Sequence, residues 1–238
     1  MIEELLSEPV VGADSFDSAQ DTALFPEEET WAAPMATARR AKFTTIRDCA
    51  RQAMVQLGLP PAPILRGRSG EPVWPSGLTG SMTHTRGYHA AAVASSRDIL
   101  AIGVDAEPNQ RLRNPDVLPL VSLAAERAWV ETLLDRRPEV AWDRLLFSAK
   151  ESVYKACFPL VGPLGFDDAL ITVDPRDGTF RARVRLPGPT GQEARSTRLT
   201  GRWLARDGLI VTAMVLRRPP PRRRLRPSPD LVRVAGFG

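Results

Sequence analysis

Two short segments of this chain carry residue types that could do chemistry together. The segments are Gly103-Val104-Asp105-Ala106-Glu107 and Phe147-Ser148-Ala149-Lys150-Glu151-Ser152-Val153-Tyr154-Lys155. If the first is a strand, Asp105 and Glu107 share one face and their apolar neighbours share the other. If the second is a helix, Glu151 and Lys155 lie one turn apart on a common face. Three carboxylates and a lysine brought together suit a hard divalent cation beside a phosphate-bearing substrate.

Each segment alone also has an ordinary structural explanation. Two acids spaced along a strand are commonly a solvated face. An acid and a lysine at helical spacing are commonly a surface ion pair that contributes little to stability. The order and combination of the two segments favour the functional interpretation, because together they match the pattern of a known family.

The two segments resemble the 4′-phosphopantetheinyl transferases, specifically the larger, two-lobed Sfp/EntD-like class. That class has a strand reading Gly-Val/Ile-Asp-x-Glu and then a helix reading Phe/Trp-Ser/Thr-x-Lys-Glu-Ser/Ala-x-x-Lys, and this chain matches both without a gap. Three upstream segments also resemble the family's substrate loop and its basic first helix. They are Trp74-Pro75-Ser76-Gly77, then Gly80-Ser81-Met82-Thr83-His84, and Arg39-Arg40 with Phe43 and Arg47. The resemblance covers roughly residues 30–215.

The resemblance implies transfer of 4′-phosphopantetheine from coenzyme A to a serine of an apo acyl or peptidyl carrier protein, with adenosine 3′,5′-bisphosphate released. Mg²⁺ is the implied cofactor, with Mn²⁺ able to replace it, and Asp105, Glu107 and Glu151 are the implied ligands. Glu151 is the first candidate for the general base, directly or through a metal-bound water, whereas Asp105 could instead position that water. Lys155 would stabilise charge that develops on the bridging phosphate oxygen.

A further set of residues resembles the family's contacts to coenzyme A. The set is Arg39, Arg47, Arg66, Thr83, His84, Lys150 and Lys155. Arginine suits this task because its planar fork meets phosphate oxygens bidentately. Arg66 stands where the family often has lysine, which keeps the charge and changes the contact geometry. Lys150 could face either the phosphates or solvent, and His89, which has no motif around it, is predicted to be structural.

The resemblance implies an α/β (α+β) fold of two similar α/β lobes in pseudo-twofold arrangement, with the active site in the cleft between them. We predict an N-terminal lobe over residues 1–107, a C-terminal lobe over 108–218 and a basic disordered tail over 219–238. Apolar periodicity predicts helices over 35–57, 120–134 and 142–156. Apolar and β-branched runs predict strands over 90–94, 100–106, 169–173, 179–186, 196–204 and 209–215. Residues 1–30 are predicted to be acidic and loop-like, and 63–80 to form loops and short strands.

Charge and composition narrow the class of partner. The 238 residues carry a net charge of +4. Much of this net charge lies in Arg217-Arg218-Pro219-Pro220-Pro221-Arg222-Arg223-Arg224, which has no acidic residue. That composition favours a solvated extension over a nucleic-acid arm. The basic balance suits an acidic carrier protein. A nucleic-acid-binding module and a Mg²⁺-dependent phosphodiesterase are the alternatives, disfavoured by the 6% aromatic content and by the lack of a water-activating His/Asp cluster.

The expected location is the cytoplasm. No apolar run is long enough to span a bilayer, and the acidic N-terminus lacks the basic start of a signal peptide. Cys49 and Cys157 are interpreted as reduced, small apolar residues. We expect a monomer that binds neither membrane nor nucleic acid. Fatty-acid, polyketide and nonribosomal peptide carriers all stay open as substrates.

Overall fold

The computed structural model describes residues 1–16, 22–186 and 195–219. The helices are α1 (Pro26–Ala32), α2 (Thr37–Gln56), α3 (Val117–Val121), α4 (Ala124–Arg136) and α5 (Trp142–Val161), with 3-10 turns at Ile2–Leu5 and Phe166–Asp168. The strands are β1 (Val11–Ser15), β2 (Leu65–Arg66), β3 (Pro72–Val73), β4 (Leu78–Thr85), β5 (Tyr88–Ser95), β6 (Ile99–Pro108), β7 (Ala169–Asp174), β8 (Thr179–Leu186), β9 (Arg195–Arg206) and β10 (Leu209–Arg217). The predicted α/β class is confirmed.

The described strands form three antiparallel sheets. Their orders are β1-β5-β4, β6-β10-β9-β8-β7 and the two-stranded ribbon β2-β3. Helix α2 packs on the three-stranded sheet, and α5 packs on the five-stranded one. A third apolar cluster joins β5 to β6 and β10, so the two larger sheets share a core. None of the helices in the described ranges is long and apolar enough to cross a membrane.

The predicted α2 and α5 and the strands from β5 onward are present at or close to their expected positions. The helix predicted over 120–134 is wrong in one respect, because it is two helices, α3 and α4. Leu123 is extended between them, and the Glu126 carboxylate accepts its backbone N–H at 2.6 Å. This capping contact interrupts the helix where apolar periodicity continues through it.

The prediction that residues 1–30 are loop-like is wrong. Ile2 and Leu5 are buried on a 3-10 turn, β1 pairs with β5, and α1 follows. The segment is too short and too polar to show a strand period, and only its pairing with β5 makes it a strand. The predicted 219–238 tail lies outside the described residues except for Pro219.

The lobe boundary near residue 107 stays a prediction. Strand β6 precedes that boundary, yet it pairs with β10 in the five-stranded sheet. The segment that carries Asp105 therefore belongs to the same sheet as β7 to β10, while its opposite face packs on β5.

One buried glutamate ties α1 to the long helix beside it. Glu28 is fully buried and accepts the backbone N–H groups of Phe25 at 3.1 Å and Ile64 at 2.8 Å. The guanidinium of Arg51, on α2, donates to the same carboxylate at 3.0 Å. These contacts satisfy the buried charge and fix both α1 and the segment that follows α2.

The second half of the chain repeats this arrangement. Glu126 on α4 is fully buried and accepts the backbone N–H groups of Leu123 and Ile171, each at 2.6 Å. Lys150, on α5, pairs with it at 2.8 Å. In each half, a short helix thus carries an acid at its third position that binds its own N-cap, the long helix and the segment after that helix. The pseudo-twofold arrangement of two lobes stays a prediction, and this repeat is consistent with it.

Candidate active site

The site is built where α5 lies against β6 at close range. Gly103 makes that approach possible, because a Cβ added there would lie 1.8 Å from the backbone oxygen of Ser152. The alternation predicted from the sequence is present: Val104 and Ala106 are buried toward β5, while Asp105 reaches toward α5. The glycine of the first motif is thus explained by the second motif's backbone.

Strand β4 holds β6 through two side-chain hydroxyls. Ser81 Oγ accepts the backbone N–H of Val104 at 3.0 Å, and Thr83 Oγ1 accepts that of Ala106 at 3.1 Å. Thr83 also donates its hydroxyl to Asp105 Oδ1 at 3.3 Å. These bonds join the two larger sheets side by side and fix the carboxylate of Asp105.

Lys155 and Asp105 form an ion pair at the centre of the site. The Lys155 ammonium lies 2.7 Å from Asp105 Oδ1 and donates to the Val104 carbonyl at 3.0 Å. The other oxygen of the same carboxylate, Asp105 Oδ2, is buried without a hydrogen-bond partner among the described residues. A buried carboxylate oxygen with no donor is costly, and a bound cation would satisfy it.

Glu107 lies two residues along the same strand and is held by a different cation. Arg144, at the start of α5, donates to Glu107 Oε2 at 3.1 Å. Burial raises the pKa of Glu107, and the neighbouring charge of Asp105 raises it further, while Arg144 opposes both effects. A further positive charge beside Glu107 would therefore stabilise the ionised form of its carboxylate.

Glu151 faces the same region from α5. Burial raises the pKa of its carboxyl above the usual value; the Asp105 charge adds to that effect and Lys155 counters it. None of the hydrogen bonds found within the described residues involves this carboxylate. Its proton affinity is thus increased, which is a property of a general base and also of a ligand awaiting a metal.

The three acids fit a hydrated divalent cation better than a closed protein cage. Across residues 1–16, 22–186 and 195–219, no three His, Cys, Asp or Glu side chains are already gathered tightly enough to hold a metal on their own. Mg²⁺ usually takes one or two carboxylates and completes its octahedron with water and substrate phosphate oxygens. Asp105 offers an unpartnered oxygen, and Glu107 and Glu151 are close enough to feel its charge. Together they could provide the few carboxylate oxygens that such an ion takes from a protein.

Lys150 does not face solvent, which was one of the two alternatives drawn from the sequence. It is buried, pairs with Glu126, and donates to the carbonyls of Phe166 at 2.5 Å and Ala169 at 2.8 Å. Burial lowers the pKa of its ammonium, and Glu126 opposes the shift. The ammonium of this motif lysine is thus engaged within the fold, while its side chain also lines a cavity beside Glu151. A contact between Lys150 and coenzyme A stays a prediction.

A basic group borders the carboxylates. His84 lies near the end of β4. Partial burial lowers the pKa of its imidazole, the charges of Lys42 and Lys155 lower it further, and Asp105 opposes them. Lys42 on α2 was not among the residues selected from the sequence, where a single exposed lysine has no motif around it. His89 is buried, as predicted for a structural histidine.

The arginines selected from the sequence separate into two groups. Arg39 and Arg66 are exposed, as residues that bind phosphate from solution must be. Arg47 is buried: it donates to the Ile64 carbonyl at 3.0 Å, lies 3.5 Å from Glu28 and stacks on a phenylalanine ring. Burial lowers the pKa of its guanidinium to about 10, with a contribution from Arg66. The charge of Arg66 is therefore close enough to affect Arg47, while Nε and Nη1 of Arg47 donate to backbone carbonyls within the fold.

A small apolar cavity of about 170 Å³ opens beside Glu151. It is lined by Lys150, Glu151, Val153, Tyr154, Leu164, Gly165, Phe166 and Ala169. A cavity of this character suits an uncharged, slender group adjacent to the charged centre.

Comparison with known proteins agrees with this geometry. Residues 27–94 match the 4′-phosphopantetheinyl transferase N-terminal domain, and residues 101–207 match the 4′-phosphopantetheinyl transferase superfamily. The chain is 50% identical over 224 residues to 4′-phosphopantetheinyl transferase Svp of Streptomyces mobaraensis, covering 92% of this chain and 90% of that protein.

Two further relatives are similar over nearly the whole chain. 4′-Phosphopantetheinyl transferase PptT of Mycobacterium tuberculosis is 42% identical over 214 residues, which cover 88% of this chain and 93% of that protein. Npt of Nocardia iowensis, also a 4′-phosphopantetheinyl transferase, is 41% identical over 223 residues, covering 90% and 99% respectively.

A centre of carboxylates and a lysine between α5 and β6, with basic residues beside it, is typical of an enzyme that acts on a phosphate-bearing substrate. The chain belongs to the 4′-phosphopantetheinyl transferase superfamily, whose members transfer 4′-phosphopantetheine from coenzyme A to carrier proteins. The family predicted from the two motifs is confirmed.

Proposed function

We propose that this enzyme transfers 4′-phosphopantetheine from coenzyme A to a serine of an acidic acyl or peptidyl carrier protein in a Mg²⁺-dependent reaction. The observation that carries the proposal is the buried, unpartnered oxygen of Asp105 beside Lys155 and Glu151. Asp105, Glu107 and Glu151 would hold the cation. When bound, it would neutralise the pyrophosphate and orient it.

The residues of the chain divide the remaining work. Glu151, whose pKa is raised by burial, accepts the proton of the incoming serine hydroxyl. Lys155 stabilises negative charge on the phosphate oxygen that leaves. Arg39, Lys42, Arg66 and His84 form the basic rim that would receive the nucleotide phosphates. The apolar cavity beside Glu151 would accommodate the pantetheine arm.

Two further assignments concern coenzyme A contacts and location. Binding of coenzyme A by Arg47 and Thr83 stays a prediction, since both side chains already bond within the fold. A cytoplasmic location is consistent with Cys49 and Cys157, which are free and buried. Burial raises the pKa of both thiols, to about 12 and about 11, and so keeps them protonated.

The test is transfer to a panel of apo carrier proteins from fatty-acid, polyketide and nonribosomal peptide systems, with coenzyme A, with and without Mg²⁺. Intact mass spectrometry reads the added phosphopantetheine on each carrier. Asp105→Asn is the matched variant, and we expect its turnover to fall by about a hundredfold or more. Glu27→Gln, an exposed acid on α1, is the control that should keep full turnover.

The same panel separates the alternatives. A phosphodiesterase would cleave coenzyme A without any carrier, whereas a transferase requires one. Full turnover by a folded Asp105→Asn enzyme at saturating Mg²⁺ would contradict the site assignment. Absence of modified carrier across the whole panel would contradict the function.

A further inference from the structure

We infer that Arg144 is a positioning residue for Glu107, and that it sets the affinity of the site for its divalent cation. The inference rests on the proposed function above. Arg144 lies outside both sequence motifs, three residues before the second begins. It joins the site only through the fold.

The first observation is the direct contact. Arg144 Nη1 donates to Glu107 Oε2 at 3.1 Å, and both side chains are about four-fifths buried, with 18% and 20% of their surface exposed. A partly buried charge-assisted bond of this kind restricts the carboxylate far more than an exposed ion pair does. It occupies one oxygen of Glu107 and leaves Oε1 for a cation.

The second observation is the way in which Arg144 itself is fixed. Its Nε donates to the Gln110 carbonyl at 3.2 Å, and Nη2 donates to that of Arg111 at 3.5 Å. Arg144 thereby grips the chain that leaves β6 immediately after Glu107. The neighbouring Asp143 strengthens this grip by accepting the Leu112 backbone N–H at 3.1 Å.

The third observation is the placement along α5. Arg144, Glu151 and Lys155 are separated by seven and then four residues, so they lie on one helix face. The seven-residue step corresponds to roughly 10 Å along the axis. Lys155 binds Asp105, and Arg144 binds Glu107. Two basic side chains of α5, one on each side of Glu151 along the helix, therefore hold the two acids of β6.

These contacts give Arg144 the role of orienting Glu107 before the cation binds. Arg144 holds Glu107 at a fixed angle, so the carboxylate need not be ordered when the cation binds. Hydrogen-bond partners that orient metal ligands typically change metal affinity by 10–100-fold when removed. The guanidinium of Arg144 is occupied by Glu107 and by two backbone carbonyls, so its effect on the cation would be exerted through Glu107.

The test is Mn²⁺ binding to the enzyme–coenzyme A complex, read by electron paramagnetic resonance of the free ion, with Mg²⁺ activation of turnover measured in parallel. We expect Arg144→Gln to weaken Mn²⁺ binding by about tenfold or more. Its kcat at saturating metal should stay close to that of the native enzyme. Arg144→Lys keeps the charge without the fork, so it should be intermediate, and it remains informative if Arg144→Gln does not fold.

A control variant and a double-mutant cycle test whether Arg144 acts through Glu107. Arg111→Gln is the control. Arg111 lies in the same loop, its guanidinium is 3.6 Å from the Asp143 carboxylate, and its side chain does not contact Glu107. This variant should leave Mn²⁺ binding unchanged. The double variant Arg144→Gln/Glu107→Gln should bind Mn²⁺ no more weakly than Glu107→Gln alone, because both changes remove one interaction.

The outcomes are separable. Native or tighter Mn²⁺ binding by folded Arg144→Gln and Arg144→Lys would overturn the inference, and tighter binding would show that Arg144 competes with the metal. Additive losses in the double variant would also overturn it. If the native enzyme neither binds Mn²⁺ nor modifies any carrier, the proposed function itself fails.

Discussion

At the scale of single residues, the site places acids close enough to repel one another. Burial raises the pKa of Glu151, and the negative charge of Asp105 raises it further. Lys155 offsets this repulsion only partly. Without a bound metal ion, the fold would be more stable if one of these carboxylates were neutral. Such a loss of stability is common at functional sites.

This arrangement predicts that Glu151→Gln stabilises the metal-free enzyme while abolishing transfer. A glutamate whose folded pKa is raised contributes stability below its unfolded pKa and loses it as pH rises through the folded pKa. The native enzyme should therefore unfold at a lower temperature than Glu151→Gln near pH 8, and the two should converge as pH falls toward about 4.

Thermal unfolding in the presence of a chelator measures this difference. Glu27→Gln on α1 is the control, because Glu27 is exposed and should not change the unfolding temperature. A Glu151→Gln enzyme that is less stable than the native one at high pH would show that Glu151 is not an electrostatically strained carboxylate.

At the scale of elements, one part of the α5 surface fixes the helix in the fold, and another carries Glu151 and Lys155 into the site. The buried pair of Lys150 and Glu126 joins α5 to α4 and to β7, one residue from Glu151. The close contact at Gly103 joins the same helix to β6. The rotation of α5 that aims Glu151 and Lys155 at Asp105 is fixed by these two contacts.

Lys150→Met should destabilise the enzyme by about 3 kcal/mol or more, because it leaves Glu126 buried without its cation. Urea unfolding measures the change. Lys150→Met/Glu126→Gln should recover part of the loss. Arg185→Gln, which removes an exposed pair with Asp168, should cost about 1 kcal/mol or less.

A loss at Lys150 no larger than that at Arg185 would contradict the anchoring role. Coenzyme A titration gives an independent check. If folded Lys150→Met kept native stability while its requirement for coenzyme A rose, the lysine would be a substrate contact after all.

At the scale of the whole molecule, the two larger sheets are coupled at the site. The hydroxyls of Ser81 and Thr83 on β4 accept hydrogen bonds from the backbone of β6, so the strand that carries His84 is bonded directly to the strand that carries the acids. Thr83 also holds Asp105 directly. A change in the position of β4 would thus reach the carboxylates.

Thr83→Val should therefore lower kcat by about tenfold, because it releases a metal-ligand orienting bond, and should change the KM for coenzyme A little. Steady-state kinetics with varied coenzyme A separates the two constants. Thr85→Val, two residues along the same strand, is the control. A raised KM with unchanged kcat would instead support a direct contact between Thr83 and coenzyme A.

The tail is expected to be dispensable for chemistry. The β10 ladder ends at Arg217, and Arg218 closes the fold by donating its backbone N–H to the Asp98 carbonyl at 2.9 Å and its side chain to that of Ser96 at 2.6 Å. A truncation after Pro219 should keep turnover. Any attraction of the arginines to an acidic carrier should fade with salt, since screening limits it to about 8 Å at physiological ionic strength.

Turnover and coenzyme A binding are to be compared for the truncated and full chains at low and moderate salt. Equal rates at moderate salt are the expected result. Loss of both activities at both salts would show that the tail completes the catalytic fold.

The family, the acidic residues proposed to act in the site and the alternation of faces along β6 could all be predicted from the sequence. Those features depend on local periodicity and on motifs, and Asp105, Glu107, Glu151 and Lys155 carry both. Helix α5 and the late strands were likewise predictable, because their apolar spacing is strong.

The partners of the other charged residues could be identified only from the folded chain. Lys150 and Arg47 look like phosphate ligands in the sequence, yet their buried partners, Glu126 and Glu28, come from distant elements. Arg144 acquires its role from Glu107 across the fold. Pairing partners of a charge are set by packing and not by spacing, which is why the sequence could name the carboxylates but not the residues that hold them.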